Sequence, residues 1–447
     1  MLDKALAARE ADGRPIRVGL VGAGCMGRGI ALQIAAFTKG VRLVAIANRT
    51  LGKAANNAAL AACEAPTVVE NQAMFDLTVL GGGTALTQDA GLVAKSPLVD
   101  VLVEATGSLE FAARVVVDAI DNGKHVVLMN AELDGTVGPA LQRRADRAGL
   151  VYTNADGDQP GAIMNLYRFV RQIGLKPMLC GNIKGLLDRY RTPATQAAFA
   201  AQWGQEPRMV TSFADGTKLA FEQAIVANAT GSRLLASGML GPTVPTGTRI
   251  EDAASAFPVE TLLERGCVVD YVIGADPAPG VFVLASCNHP AQRDYLNLYK
   301  LGAGPLYCLH TPFHLCHFEV AFTIARATLF GDAALRPLAG IAVEVVATAK
   351  RDLPAGIRLD GIGGYDLYGR AEEAAHARSL MLLPIGLSED VVLRRLVRKD
   401  QSLRVEDVEI PPNRMVDALR AEQDAYFENN RGDTPLVTEC GALTALQ

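Results

Sequence analysis

The first patterned stretch of the chain, Ile16–Val21, is a short run of β-branched and apolar residues that stops at Gly22. It gives way to Arg28–Phe37, where apolar residues recur at helical spacing, and then to a second apolar run, Val41–Ala47. The alternation continues through VDVLVEATGS (99–108), a helical segment to Asp121, the apolar strand within GKHVVLMNAELD (123–134), a helix to Ala148 and a strand in LVYTNADGDQ. Strands that are apolar throughout, separated by amphipathic helices, predict an α/β fold with a doubly wound parallel sheet covered on both faces. The segment Gln72–Ser96, with its Gly81-Gly82-Gly83 triplet, interrupts the rhythm and reads as a long loop with one helix.

Beyond Pro160 the order is less regular. A helix over 162–173, a strand over 178–183, a long helix over 216–229 and strands over 268–273 and 281–286 predict an α+β substrate and dimerisation domain at 156–304. From Ile341 the composition shifts to Val, Arg and Asp with short strands, which predicts a small β-rich C-terminal domain at 341–447. There are no internal repeats, and the tail from Asn430 reads as loose.

The turn after the first strand carries chemistry. Gly22, Gly24 and Gly27, with Cys25 and Met26 between them, follow a strand, open a helix and precede a second strand. In that context the first glycine makes the turn, the second admits a pyrophosphate, and the third lets helix and strand pack closely. A dinucleotide site is expected. The second strand ends in Asn48-Arg49-Thr50, without the carboxylate that would accept from a ribose 2′-hydroxyl, so Arg49 and Thr50 are expected to meet a 2′-phosphate and the cofactor to be NADPH. Other strand ends point the same crevice at Thr106, Gly107, Asn130 and 156–159.

Composition narrows the partners. The 447 residues include 49% hydrophobic and 20% charged positions, which excludes disorder, and 43 basic against 48 acidic residues give a net charge of −5. No electrostatic attraction to nucleic acid or to an anionic membrane is expected, and a small molecule is the expected partner. The first residues lack the apolar core of a secretory signal, no apolar stretch is long enough to span a bilayer, and the eight cysteines form no CxxC pair, so a cytoplasmic chain with reduced thiols is expected.

The segments GAGCMGRGI, VEATGS, GKHVVLMNAEL and GAGPLY resemble the homoserine dehydrogenase type of Rossmann enzyme, and VATAKRDLPAGIRLDG looks like a SAF domain. The combination is similar to the 1-deoxy-D-xylulose 5-phosphate reductoisomerase-like family. That resemblance implies an NADPH-dependent reductoisomerase forming 2-C-methyl-D-erythritol 4-phosphate in isoprenoid precursor synthesis, assisted by Mg²⁺ or Mn²⁺. It further implies that Gly22, Gly24 and Gly27 hold the pyrophosphate and that Thr106 and Gly107 line the nicotinamide ribose. A glycine loop at Gly302 and Gly304 would return to the cofactor, which assigns about 305–340, with 1–155, to the nucleotide domain. One departure stands out: the resemblance places a catalytic lysine after Asn130, where this chain has Ala131 and Glu132. A homoserine-dehydrogenase-like oxidoreductase acting on another hydroxy-carbonyl compound, or a non-catalytic sensor of nucleotide and sugar, are the alternatives.

The reacting groups must then lie elsewhere. Asp215, Lys218 and Glu222 fall on one face of a helix in an apolar stretch; Lys218 can protonate a carbonyl oxygen while a carboxylate orients substrate or cation. Otherwise Asp215 is a helix cap and the other two a solvated pair. Lys184, Arg189 and Arg191 follow a strand and can hold a substrate phosphate, or serve solubility alone. Candidate ligands for a hard divalent cation are Asp156, Asp158, Asp215 and Glu222. The stretch 310–319 holds three of the six histidines but no second ligand pair nearby, so His314 is kept as a substrate contact or proton donor rather than as a zinc ligand. A homodimer is expected.

Overall fold

A computed structural model describes residues 2–429, so the tail from Asn430, with Cys440, lies outside the described residues. The first sheet contains β1 (Ile16–Val21), β2 (Val41–Ala47), β3 (Thr67–Val68), β4 (Ala85–Thr87), β5 (Val101–Glu104), β6 (His125–Leu128) and β7 (Tyr152–Asn154). All are parallel, in the order β3-β4-β2-β1-β5-β6-β7. Helices cover both faces, which is why β5 is buried at every position and carries no polar alternation. The chain winds outward from β1 to β3, then crosses back to β5, so the carboxyl ends of β1 and β5 border the crevice where such sheets take ligands. The expected loop over 72–96 is a correction: it forms helices Gln72–Leu80 and Ala90–Lys95 and the strand β4, completing the outer edge of the sheet.

A second, mixed sheet has the order β12-β11-β8-β10-β9, with β8 (Lys176–Lys184), β9 (Thr243–Arg249), β10 (Val268–Asp276), β11 (Gly280–Ser286) and β12 (Leu306–Thr311). Here the expected boundary shifts. Residues 306–311 pair antiparallel with β11 and belong to this sheet, not to the nucleotide domain, because β12 carries the register of β11 from Leu306 opposite Ser286 to Thr311 opposite Val281. The following helix, Cys316–Phe330, does return to the first domain and packs on Cys25–Phe37. Gly29 permits that approach, since a Cβ there would come within 2.6 Å of the His317 ring.

Helix Thr217–Thr230 runs through the middle. Thirteen of its fourteen residues are buried, against helices Ala131–Arg147 and Gln159–Gln172 and against the antiparallel pair β13 (Val343–Ala349) and β14 (Leu367–Glu373). A helix covered all round needs no amphipathic stripe, but every polar group it carries needs a partner. At Gly135 the approach to Ala131–Arg147 is closest: a Cβ there would lie 2.5 Å from the Phe221 ring.

The C-terminal segment is less independent than its composition suggests. Apolar residues of 343–419 share one continuous core with both sheets, Gly369 N donates to Thr217 Oγ1 at 2.8 Å, and helix Met415–Asn429 lies back on Ala131–Arg147, with Arg144 and Glu422 paired at 2.6 Å. Among the described residues no helix is long and apolar enough to cross a membrane.

Removing everything after Leu338 uncovers one side of Thr217–Thr230. We expect that truncated chain to lose cooperative thermal unfolding, followed by near-ultraviolet circular dichroism; a sharp transition close to that of the full chain would show the segment to be dispensable.

Candidate active site

The glycine turn fits a dinucleotide. Gly22 has φ +108°, and a Cβ there would stand 2.6 Å from Ala105 O; at Gly27 it would stand 2.0 Å from Gly22 O. Gly24 has no atom within 4 Å of where its Cβ would be, and it begins helix Cys25–Phe37 with no side-chain cap. The open cradle and uncapped helix end suit a pyrophosphate. Asn48 is a tether: its Oδ1 accepts from Ala23 N at 3.0 Å and its Nδ2 donates to Thr50 O at 2.9 Å, fixing the turn to the end of β2. Arg49 and Thr50 are exposed beyond it, while Cys25 and Met26 are half-buried in the first helical turn.

Across the crevice, Thr106 donates through its N (2.8 Å) and its hydroxyl to Glu104 Oε1, and Gly107 lies beneath Met209 of helix Pro207–Ala214. Asn130 is a helix cap, its Oδ1 accepting from Leu133 N at 3.1 Å. Gly302 and Gly304 are corrected: they precede β12 at the end paired with Ser286, whereas the cleft lies at the Thr311 end, roughly 20 Å along the strand.

The polar cluster forms where Thr217–Thr230 crosses the ends of β6, β7 and β8. Lys218, 8% exposed, places Nζ 3.5 Å from Glu132 Oε2. One turn on, Glu222 Oε2 accepts from Asn182 Nδ2 at 3.0 Å and faces Lys184 Nζ at 3.5 Å. Gln159 Oε1 accepts from Lys184 Nζ (2.7 Å) and Asn182 Nδ2 (2.8 Å), which fixes both side chains. Asp158, His314 and Cys316 close the cluster; His314 Nδ1 is 3.2 Å from Gly157 O and 3.5 Å from Cys316 Sγ.

Burial and charge oppose each other here. Burial pulls the Lys218 ammonium toward neutrality, but Glu132, Asp158 and Glu222 together outweigh it and raise its pKa, so it stays charged. Burial raises Glu222 despite Lys184 and Lys218, lowers His314, and raises the Cys316 thiol. Burial pushes Glu104 up to about 7 against its bonds from Thr106 and Asn130.

Of the expected residues, Lys218, Glu222, Lys184, His314 and Asp158 meet. Asp215 does not: it precedes the helix, turns to the C-terminal segment and pairs with Lys350 at 2.8 Å, both buried. Asp156 is held by Arg326, with Thr323 Oγ1 and Asn165 Nδ2 donating to it. These engagements leave no set of four carboxylates for a hard cation. Arg189 lies against Tyr368 of β14, and Arg191 pairs with Asp188 at 3.0 Å while its carbonyl takes Lys350, so only Lys184 of the expected phosphate group is at the cluster. Gln159 was expected at the crevice and is there, whereas roles for Glu104, Glu132 and Cys316 were not anticipated. Glu132 had a signal, since it stands beside Ala131, the position after Asn130 where the resemblance implies a lysine.

Two segments of the chain match known families. Residues 22–150 match the family model for the homoserine dehydrogenase NAD binding domain, and residues 157–320 that for the catalytic domain of oxidoreductase DRL. The chain is 31% identical over 120 residues to a homoserine dehydrogenase of Methylobacillus glycogenes (27% of this chain, 26% of that protein). It is 39% identical over 70 residues to one of Pseudomonas aeruginosa (16% of each). The matched part thus spans about a quarter or less of these relatives. Among solved structures, a homoserine dehydrogenase of Thiobacillus denitrificans aligns with TM-score 0.40 and 16% identity over 87% of this chain and 98% of that one. A scyllo-inositol dehydrogenase of Lactobacillus casei gives 0.32 and 13% over 93% and 89%. The two matched segments are thus similar to a homoserine-dehydrogenase-type NAD(P)-binding domain followed by an oxidoreductase catalytic domain.

Glu104 generates a stability test. Its folded pKa, about 7, exceeds its ordinary value of 4.5, so between those values the folded chain binds the extra proton and stability falls as pH rises. We expect the melting midpoint to drop between about pH 5 and 8 and Glu104→Gln to flatten that slope, by on the order of 3 kcal/mol over the range. Asp134, raised to about 6 by burial, adds a smaller slope of the same sign. An unchanged slope in the variant would show that Glu104 is ionised throughout.

Proposed function

We propose that this NAD(P)-binding Rossmann oxidoreductase of the homoserine-dehydrogenase-like type interconverts a carbonyl and a hydroxyl on a small anionic substrate, with Lys218 at the reacting oxygen. The observation that carries the reading is the buried Lys218 ammonium, held charged by Glu132 at the carboxyl end of the nucleotide-binding sheet. When bound, the nicotinamide supplies or accepts the hydride. In the reducing direction, Nζ of Lys218 donates to the carbonyl oxygen, stabilises the negative charge that develops there and passes it a proton. Glu132 keeps the amine aimed during that transfer. Lys184, fixed by Gln159 and Glu222, receives the anionic part of the substrate. Met209, over Gly107, helps to exclude water from the crevice.

Two narrower readings follow. NADPH preference rests on Asn48-Arg49-Thr50: Arg49 is exposed at the end of β2 and no carboxylate stands there to repel a 2′-phosphate. Conversion of 1-deoxy-D-xylulose 5-phosphate rests on the sequence resemblance alone, with Lys184 for its phosphate. The carboxylates do not fit a Mg²⁺ or Mn²⁺ site, and no step is assigned to either ion.

An NADPH-oxidation screen across phosphorylated ketoses and semialdehydes tests the activity. On any substrate that passes, Lys218→Ala should lower kcat by about 10²-fold or more with NADPH affinity nearly unchanged; near-normal turnover would remove Lys218 from the chemistry. By titration calorimetry NADPH should bind more tightly than NADH, and Arg49→Ala should erode the difference. Equal affinity in the unsubstituted protein would overturn the cofactor assignment.

A further inference from the structure

Two segments far apart in sequence are pinned together beside Lys218. Gly157, in the loop after β7, forms an isolated antiparallel bridge with Cys316 at the start of helix Cys316–Phe330. Only glycine allows it: a Cβ at 157 would lie 2.7 Å from Leu315 O and 2.9 Å from Glu319 Cβ. The approach brings an oxygen of Asp158, a ring nitrogen of His314 and Sγ of Cys316 within 4.8 Å of one another. Cys316 Sγ is 3.5 Å from His314 Nδ1 and 4.0 Å from Asp158 Oδ1. Two ligands at 2.0–2.3 Å from one ion at the tetrahedral angle stand about 3.3–3.8 Å apart, so these atoms need to move little to share a cation. Asp158 is only 5% exposed, and its Oδ2 is buried without a hydrogen-bond partner.

We propose that Asp158, His314 and Cys316 bind one zinc-type divalent cation, leaving a fourth position open toward the crevice. The mixed oxygen, nitrogen and sulfur set selects a borderline cation over Mg²⁺ or Ca²⁺, which take oxygen ligands. On binding, the Cys316 S–H bond breaks, a sulfur–metal bond forms and the proton leaves to solvent. His314 ligates through Nδ1 as the tautomer protonated on Nε2, giving up its 3.2 Å contact with the Gly157 carbonyl. Charge supports the fit: the thiolate with Asp158, Glu132 and Glu222 carries four negative charges, matched by Lys184, Lys218 and the dication. Whether the ion also polarises the carbonyl handled by Lys218 rests on the reading above; its binding does not.

Cobalt(II) is the probe, because tetrahedral coordination by a thiolate gives a sulfur-to-cobalt charge-transfer absorption and intensified visible bands. We expect chelator-treated full-length protein to develop both at one equivalent of Co²⁺, Zn²⁺ to abolish them and Mg²⁺ in excess to leave them. Cys316→Ser should remove the charge-transfer band while the protein still melts cooperatively, and Asp158→Asn should weaken Co²⁺ binding at least about tenfold. Cys267→Ser, at the cysteine 3.9 Å from Cys180, should leave the spectrum intact. Absence of a charge-transfer band, its survival in Cys316→Ser, or its loss in Cys267→Ser would overturn the site. Cobalt binding without turnover on any carbonyl would instead count against the oxidoreductase reading and leave the metal site standing.

Discussion

Ionised groups on helix Thr217–Thr230 are tolerable only because other segments meet them inside the protein. An ammonium such as Lys218, taken out of water, loses several kcal/mol of hydration, and Glu132 together with the neighbouring carboxylates returns it. That exchange requires the helix to cross Ala131–Arg147 closely, which Gly135 permits under the Phe221 ring. Every other feature of the site follows: Glu222 is one turn along the same helix, Asn182 and Lys184 reach it from β8, and Asp158 closes the cluster from the loop after β7.

The same helix shows how backbone and side-chain groups are divided between the layers. The parallel sheet offers glycines, a tether and a helix end, groups suited to a large anion held by backbone N–H groups. The second sheet and the buried helix offer side chains whose charges are set by burial and by each other. The crevice between them therefore has one wall built mainly of backbone groups, tethered by Asn48, and one wall of ionised side chains.

How much of this was legible in the residues differs by layer. The strands Ile16–Val21 and Val41–Ala47 were read to the residue, because apolar β-branched runs and glycine turns are local signals. The outer edge of the sheet was not, since β3 and β4 are two and three residues long and carry no period to detect. In the site, Lys218 and Glu222 were found by spacing along one helix. Asp215 was misplaced because Gly216, with φ +87°, turns the chain before the helix begins, a break that counting positions does not see. The roles of Glu132 and Cys316 were not legible for a different reason: Lys218 and Asp158, which they meet, are distant in sequence, and only the packing of segments brings them together.

The antiparallel pair β13 and β14 packs on helix Thr217–Thr230 and completes its cover. During synthesis the ribosome has made Lys218 long before that cover exists. Glu373, the last residue of β14, follows Thr230 by roughly 145 residues, or about 7–30 s of elongation at ordinary rates. For that interval a helix meant to be enclosed on all sides stands with one flank open, its apolar residues available to chaperones or to neighbouring nascent chains. The nucleotide-binding sheet, complete by Asn154, can form early on the ribosome, whereas the interior around Thr217–Thr230 closes only once residues 343–373 have emerged, so a ribosome stalled between them leaves a chain with a formed glycine turn and an unfinished polar cluster.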